Sequence, residues 1–431
     1  MNSNRALVLV LCLLSLVLAS CGSKSNGNAN LRIVNVIPDA PSISVQLGTN
    51  PPLVTGLLFQ QLTQYMSVGS GSQDFMVSAN GGSSFAINQT LNMSNGSYTY
   101  ITYGPIVSAN GLLLNENNFP TPNSGTFNFR VVNVAAGIGP VDFYLTPLGT
   151  DINTTSPTVS NVGFGGISSI IGVNGGTLEL RATASGTKNI IYDTAVQTFA
   201  NGASYEVVVF TKGSARLVSV ALLDENTAGT GRVLDNLLAE FKVINASTAA
   251  TALNVLVNGT LALSNIPFQG VSNYVTTLAG SSTFTVQATA TPGANLLTLV
   301  TTLDSATDTS LVFSGLPGGL IPLVLSDNNL PPPALNARVR FVNVSPGLGP
   351  IDVYINFSRT IPALVENSGS VYVNETADAT VGTAYEFDFN IAGTTTPVLK
   401  LPGVVIIAGH TYSIYVLGPS TAPQGVVAQD D

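Results

Sequence analysis

The chain predicts an all-β protein of four tandem antiparallel β-sandwich domains, immunoglobulin-like in type, behind an export signal. Three observations carry this. A two-strand signature recurs four times at domain-sized spacing. Alternating β-branched and aromatic runs fill the space between copies, and helical periodicity is nearly absent.

The clearest signature is Phe129-Arg130-Val131-Val132-Asn133-Val134, a Gly/Pro turn, then Val141-Asp142-Phe143-Tyr144. It reads as a hairpin. Leu31-Arg32-Ile33-Val34-Asn35-Val36, Phe241-Lys242-Val243-Ile244-Asn245-Ala246 and Val339-Arg340-Phe341-Val342-Asn343-Val344 open the other copies, and the four asparagines stand 98, 112 and 98 residues apart. That period is too long for a solenoid and suits one sandwich per copy, each large enough to bury its own core.

Charged residues are 9% of the 431 and hydrophobic ones 45%, against roughly a quarter charged in ordinary soluble proteins. So apolar a chain is not disordered; its surface must be carried by Ser, Thr, Asn and Gly. With a net charge of −9 it has no basic field for phosphate, which excludes nucleic acid as an expected partner.

Residues 1–20 read as an export signal: Arg5, then an apolar run of 13 residues over 6–18, shorter than the roughly 20 a permanent transmembrane helix needs. Leu18-Ala19-Ser20-Cys21-Gly22 resembles the bacterial lipobox. The resemblance implies cleavage before Cys21 and diacylglycerol on its thiol. The alternative is an ordinary signal peptide that happens to end in a cysteine. Cys12 lies in the removed segment, so no disulfide is expected. Several acyl chains make a lasting anchor, and residues 21–30 read as the lipidated cysteine and a flexible tether. Gly22 after the cysteine, rather than Asp, resembles the outer-membrane sorting pattern.

The repeats read as 31–124, 125–236, 237–334 and 335–431. Later landmarks recur in them: glycine-entered strands begin at Gly96, Gly202 and Gly409, and Asp308 to Phe313 is the third, divergent copy. Further strands are expected over 73–78, 177–182, 283–288 and 385–390, giving seven or eight per copy. The one helical expectation is a turn or two over 232–240. Each copy ends on an acid/amide cluster: Asn115-Glu116-Asn117, Asp224-Glu225-Asn226, Asp327-Asn328-Asn329 and Gln429-Asp430-Asp431. Near-identical proline linkers, Asn117 to Pro122 and Asn328 to Pro333, follow copies one and three only. This argues for a two-domain unit, stiffly jointed inside, that was itself duplicated.

Pro38-Asp39-Ala40-Pro41, and Ser345-Pro346-Gly347-Leu348-Gly349-Pro350-Ile351-Asp352-Val353-Tyr354 behind the Arg-Phe-Val-Asn run, resemble bacterial domain-of-unknown-function family 4397. Copies two and four match best. The resemblance covers residues 31–431 and implies an exported β-sandwich often found in lipoproteins, with no catalytic residues to transfer.

Candidate sites are few. His410 is the sole histidine, which excludes Ser-His-Asp and Cys-His catalysis and multi-histidine metal sites; a turn residue is the better account of it. Gly137-Ile138-Gly139 and Gly347-Leu348-Gly349 lack the third glycine and the helix of a nucleotide loop. Arg32, Arg130, Lys242 and Arg340 recur at one strand position. They read as packed stems with heads in water, Asp142 and Asp352 facing Arg130 and Arg340 across the hairpin, while Ser44 and Asn254 take those places in copies one and three. The recurring asparagine is expected to bond the adjacent turn. The terminal acid clusters read as solvated turns; calcium, with six to eight oxygens, would find only three or four side chains in each. No tryptophan is present to stack on a sugar.

The sequence therefore points to a non-enzymatic, membrane-anchored envelope protein acting as a spacer or interaction surface for a protein or glycan. No cofactor, metal or catalytic residue is assigned, and Cys21 is the lipid-attachment site. The alternative is an envelope carbohydrate-binding protein, or a glycan hydrolase using a carboxylate pair.

Overall fold

Val, Ile, Phe and Tyr at alternate positions give strands with a dedicated apolar face. In the computed structural model, which describes residues 27–225 and 229–431, those strands assemble into eight sheets. The first repeat shows the plan: β1 (Asn28–Val36), β2 (Ser42–Leu47), β3 (Val54–Leu58), β4 (Met66–Gly69), β5 (Gly71–Ala79), β6 (Phe85–Met93), β7 (Gly96–Tyr103) and β8 (Asn110–Asn115). They make an inner sheet, β4-β1-β7-β8, and an outer sheet, β3-β2-β5-β6. The same order recurs along the chain, with Thr126–Asn133, Leu238–Asn245 and Asn336–Asn343 in the place of β1. All four expected internal strands are present, in Gly71–Ala79, Gly176–Ala184, Gly280–Ala288 and Thr383–Ile391.

Two expectations are corrected here. The sheets are not wholly antiparallel: β1 runs parallel to β7, and its equivalents run parallel to Ser204–Phe210, Asp308–Ser314 and Thr411–Leu417. The opening signature is also not a hairpin, because β1 and β2 lie in different sheets and the Gly/Pro turn arches between them. In repeat 2 the arch carries Gly137 and Gly139 at φ 84° and 77°, the left-handed region that glycine enters without penalty.

The recurring asparagine fastens this arch. Asn35, Asn133 and Asn245 accept through Oδ1 from the backbone N–H two residues on, at Ile37, Ala135 and Ser247. The turn contact expected from the sequence is therefore present in three copies. Each also does something further: Nδ2 donates to a carbonyl in the other sheet, from Asn35 to Leu57, Asn133 to Val162, Asn245 to Ile266 and Asn343 to Leu364. One amide thus shapes the turn and ties the two sheets.

Asp142 and Asp352 do not pair with Arg130 and Arg340, since the arch puts them in the other sheet. Their job is a bulge. Asp142 accepts from the N–H of Asn161 at 2.7 Å and Asp352 from that of Ala363 at 2.8 Å, residues held at φ 56° and 49°. Asn254 does the same for Asn265. Repeat 1 has Gly56 at φ 68° in its edge strand, and a glycine reaches that conformation unaided.

Residues 232–240 form no helix. Gly231–Leu234 adds to the inner sheet beside Ser219–Asp224, and Leu238–Asn245 begins the next repeat. Asn236 links them, its Nδ2 donating to Ile191 and Val218 carbonyls. Ladder pairing outweighs the weak local helix propensity.

Four apolar cores fill the spaces between inner and outer sheets. Two more lie elsewhere: one joins Val34, Val36 and Ile101 to Val132, Val208 and Phe210, the other Ile244 and Val312 to Val342, Val344 and Tyr415. The inner sheets of repeats 1 and 2 thus pack against each other, as do those of repeats 3 and 4. Each pair is a four-layer block rather than two sandwiches on a proline joint. At about 1.5–3 kcal/mol per fully buried large apolar side chain, these clusters, though smaller than the four cores, bind the two repeats of each block together.

Replacing Asn245 by Ala frees the Ser247 N–H and the Ile266 carbonyl in a buried place. The expected loss is about 1–3 kcal/mol for each freed group, read by denaturant titration against Ser264→Ala, an exposed-strand control.

Candidate functional site: a buried charge exchange between repeats

Along β1 the odd residues face the repeat's own core, and Arg32, Val34 and Val36 face the neighbouring repeat. The same parity holds for Arg130, Lys242 and Arg340, so each base points into a junction. All four are buried. Their heads are not in water, and the expectation of packed stems with solvated heads is overturned.

Each base meets an acid from the end cluster of the other repeat in its block. Arg32 binds Glu225 of repeat 2, and Arg130 of repeat 2 binds Glu116 of repeat 1, the latter at 2.5 Å. Lys242 binds Asp430 of repeat 4, and Arg340 of repeat 4 binds Asp327 of repeat 3 at 2.6 Å. The start of each repeat therefore grips the end of its neighbour, reciprocally, as a two-fold related interface would. The acids at the centre of these clusters are consequently not solvated: Glu116, Asp327 and Asp430 are buried, while Asn115, Asn117, Gln429 and Asp431 beside them are exposed.

Aromatic rings cover the cations. Tyr65, Tyr274 and Tyr372, each just ahead of the β4-type strand, lie 4.9, 4.8 and 4.9 Å from Arg32, Lys242 and Arg340. Repeat 2 has Ile170 at that place, and Phe119 of the linker covers Arg130 instead, at 4.6 Å. Such contacts are worth up to about 2 kcal/mol when desolvated. Tyr65 and Tyr274 also donate to acids, Glu225 at 2.8 Å and Asp327 at 2.6 Å.

The residue beside each base on the β7-type strand completes the site. Thr99 accepts from Arg32 and Ser413 from Arg340. Ser310 donates to Asp327 and Ser413 to Asp430. Repeat 2 has Glu206 there, accepting from Arg130 Nε at 2.5 Å. Burial works against the Arg32 charge, but Glu225 outweighs it and holds the guanidinium above its ordinary range. Arg130 is raised likewise, burial being overcome by Glu206 and Glu116.

Glu116, Glu206 and Glu225 place an oxygen each within 4.8 Å of one another. Arg130, Arg32 and Tyr65 already occupy one oxygen of Glu116, one of Glu206 and both of Glu225. Two oxygens remain, fewer than the six to eight that calcium takes.

A second seam joins the blocks. Arg216 pairs with Glu240, and Asp308 accepts from the Ala215 N–H at 3.2 Å and Asn329 at 2.8 Å. Burial pushes Asp308 up to about 6.

Of the other candidates, His410 is a surface turn residue with Asp431 Oδ1 at 3.2 Å. The Gly137 and Gly347 turns lead into strands Val141–Thr146 and Ile351–Ile355, with no helix to receive a phosphate. Cys21 and Asn226 lie outside the described residues. Tyr65, Phe119 and Glu206 were not singled out from the sequence, although the same strand position holds a hydroxyl residue in the other three copies.

Double-sheet blocks opened by an arch define the class: a tandem β-sheet protein with its charge buried between repeats. The profile of the family described as Domain of unknown function (DUF4397) matches residues 29–144 and 239–354, more than half of the chain. The protein belongs to that family. No curated protein matches the sequence. Among solved structures, it is similar to CBMbc, a family 26 carbohydrate-binding module from Eubacterium rectale Amy13K crystallised with maltoheptaose, at 12% identity and TM-score 0.16, covering 45% of this chain and 95% of that one. It is also similar to the Bacillus anthracis TIE protein, at 11% identity and TM-score 0.15, covering 88% of this chain and 69% of that one. Likenesses this weak carry no functional argument.

Removing one partner of a buried ion pair costs about 3–5 kcal/mol. Arg340→Ala is therefore expected to destabilise by that amount, and Arg340→Met with Asp327→Leu to recover part of it. Denaturant titration of the single and double variants measures both; equal losses would deny that the two charges act as a pair.

Proposed function

We propose that the chain is a non-enzymatic cell-envelope protein, anchored by acyl chains on Cys21. Its four immunoglobulin-like sandwich modules, fused in pairs into stiff blocks, serve as a spacer or as an interaction surface for a protein or glycan. One observation carries the reading: the recurring charged groups are spent on joining repeats to one another. Sealed between sheets, they meet no substrate and act as mechanical fasteners. The signal-like residues 1–20 and the Ser/Gly/Asn tether fit a rigid body held off a membrane, and the Gly22 pattern favours the outer membrane or cell surface.

Two measurements test this. The mass of the mature protein from its host is expected to show diacylglycerol on a chain beginning at Cys21, and Cys21→Ser to release the protein from the membrane fraction. An unacylated mature chain removes the anchor. A glycan array and a pull-down with residues 22–431 are expected to find a partner bound without turnover. Hydrolysis of a bound glycan would replace the interaction role with the enzymatic alternative.

A further inference from the structure

The two blocks use the same reciprocal exchange, but their charges do not balance in the same way. Between repeats 3 and 4, Lys242 and Arg340 face Asp327 and Asp430. Every oxygen of those two acids has a partner: Arg340, Tyr274 and Ser310 for Asp327, Lys242 and Ser413 for Asp430. Between repeats 1 and 2, Arg32 and Arg130 face three acids, Glu116, Glu206 and Glu225. The excess is Glu206, which stands where Thr99, Ser310 and Ser413 stand in the other copies. It is fully buried. Glu206 Oε1 lacks a hydrogen-bond partner, and Glu116 has the Thr99 hydroxyl beside it as well as Arg130.

We propose that the junction of repeats 1 and 2 is a buried proton-binding site, in which Glu116 and Glu206 share one proton at neutral pH. A single proton from solvent, bound as an O–H on one carboxyl, cancels the unpaired negative charge. It also supplies the hydrogen that Glu206 Oε1 lacks. An unpaired buried carboxylate is far costlier than a neutral carboxylic acid in the same place, and two carboxylates sharing one site resist ionising together.

The groups facing the pair are Arg130 on its own sheet, Arg32 and Thr99 on the facing sheet, and Glu225 with Tyr65 at the rim. Burial raises Glu206, Glu116 raises it further, and Arg130 opposes them. Burial also raises Glu116, followed by the charge of Glu225. The folded junction thus keeps a proton that the unfolded chain gives up above the ordinary glutamate range near about 4.3. The site's contribution is full below that range and is lost as pH rises through the folded-state value.

Infrared difference spectra of the whole protein at pH 7 are expected to show a protonated-carboxyl band that Glu206→Gln removes. Hydrogen exchange over residues 204–210, corrected for intrinsic rates, follows the junction itself. Its opening equilibrium is expected to rise by up to about tenfold per pH unit through the titration, and to stay flat in Glu206→Gln. Glu206→Thr restores the hydroxyl found at position 99 and is expected to be flat as well, which keeps the test open if the Gln variant folds poorly. A wild-type junction with no carboxyl band and no pH dependence above that of the variants overturns the proposal. Protection that falls on adding a chelator also overturns it, placing a metal ion where the proton is assigned.

Discussion

A buried base cannot be left without its acid, and each of the four recurring bases takes one from the other repeat of its block. That constraint fixes the geometry of each block. Taking one guanidinium and one carboxylate out of water costs several kcal/mol per ion, a cost offset only when both ends of the exchange are in register. Arg32 reaches Glu225 and Arg130 reaches Glu116 in a single arrangement of the two inner sheets. The apolar cluster of Val34, Val132, Val208 and Phe210 supplies the attraction, and the ion pairs select the alignment. Apolar faces alone would tolerate sliding. Four charges at fixed positions would not.

The strand content, the recurring opening strand and the asparagine turn were legible because each is written in local spacing. The partners were not. Period-2 alternation says which residues share a face, and it is silent on what covers that face. One signal was nevertheless present. Ile33-Val34, Val131-Val132, Val243-Ile244 and Phe341-Val342 are adjacent apolar pairs, and continuous apolar runs mark strands buried on both sides. A base in the middle of such a run has no solvated face to reach. The heads of Arg32 and Arg130 could therefore have been placed in a junction. The parallel pairing of β1 with β7 had no such signature, since it depends on a long-range closure that leaves residue alternation unchanged.

Duplication explains why the two blocks differ in detail while agreeing in plan. The family matches begin at residues 29 and 239, and each spans one repeat plus the opening strands of the next. The matched unit thus crosses the very junction that the ion pairs hold. Between the blocks the acids differ in length: Arg32 and Arg130 meet glutamates, while Lys242 and Arg340 meet aspartates helped by Ser310 and Ser413. The covering ring moved as well, from the pre-β4 tyrosine to Phe119 of the linker, where Ile170 offers no π face to Arg130. The linker is therefore a component of the junction, Phe119 covering Arg130 and the Pro120 carbonyl accepting from Asn128.

The surface is left with even less charge than the composition implies, for the same reason. With 14 lysines and arginines and 23 acidic residues in all, eight are committed to the reciprocal pairs alone, Glu206 joins one of those junctions, and Arg216, Glu240 and Asp308 are drawn into the seam between the blocks. What faces water is then largely hydroxyl, amide and glycine, together with the outer sheets. Such a surface has little long-range field to steer a charged ligand, so recognition on it must rest on contact: shape, hydrogen bonds from Ser, Thr and Asn, and scattered apolar side chains. A surface of that kind needs a stiff backing to present it. Fusing the inner sheets through buried pairs provides that backing, because a four-layer block has no hinge between its two repeats.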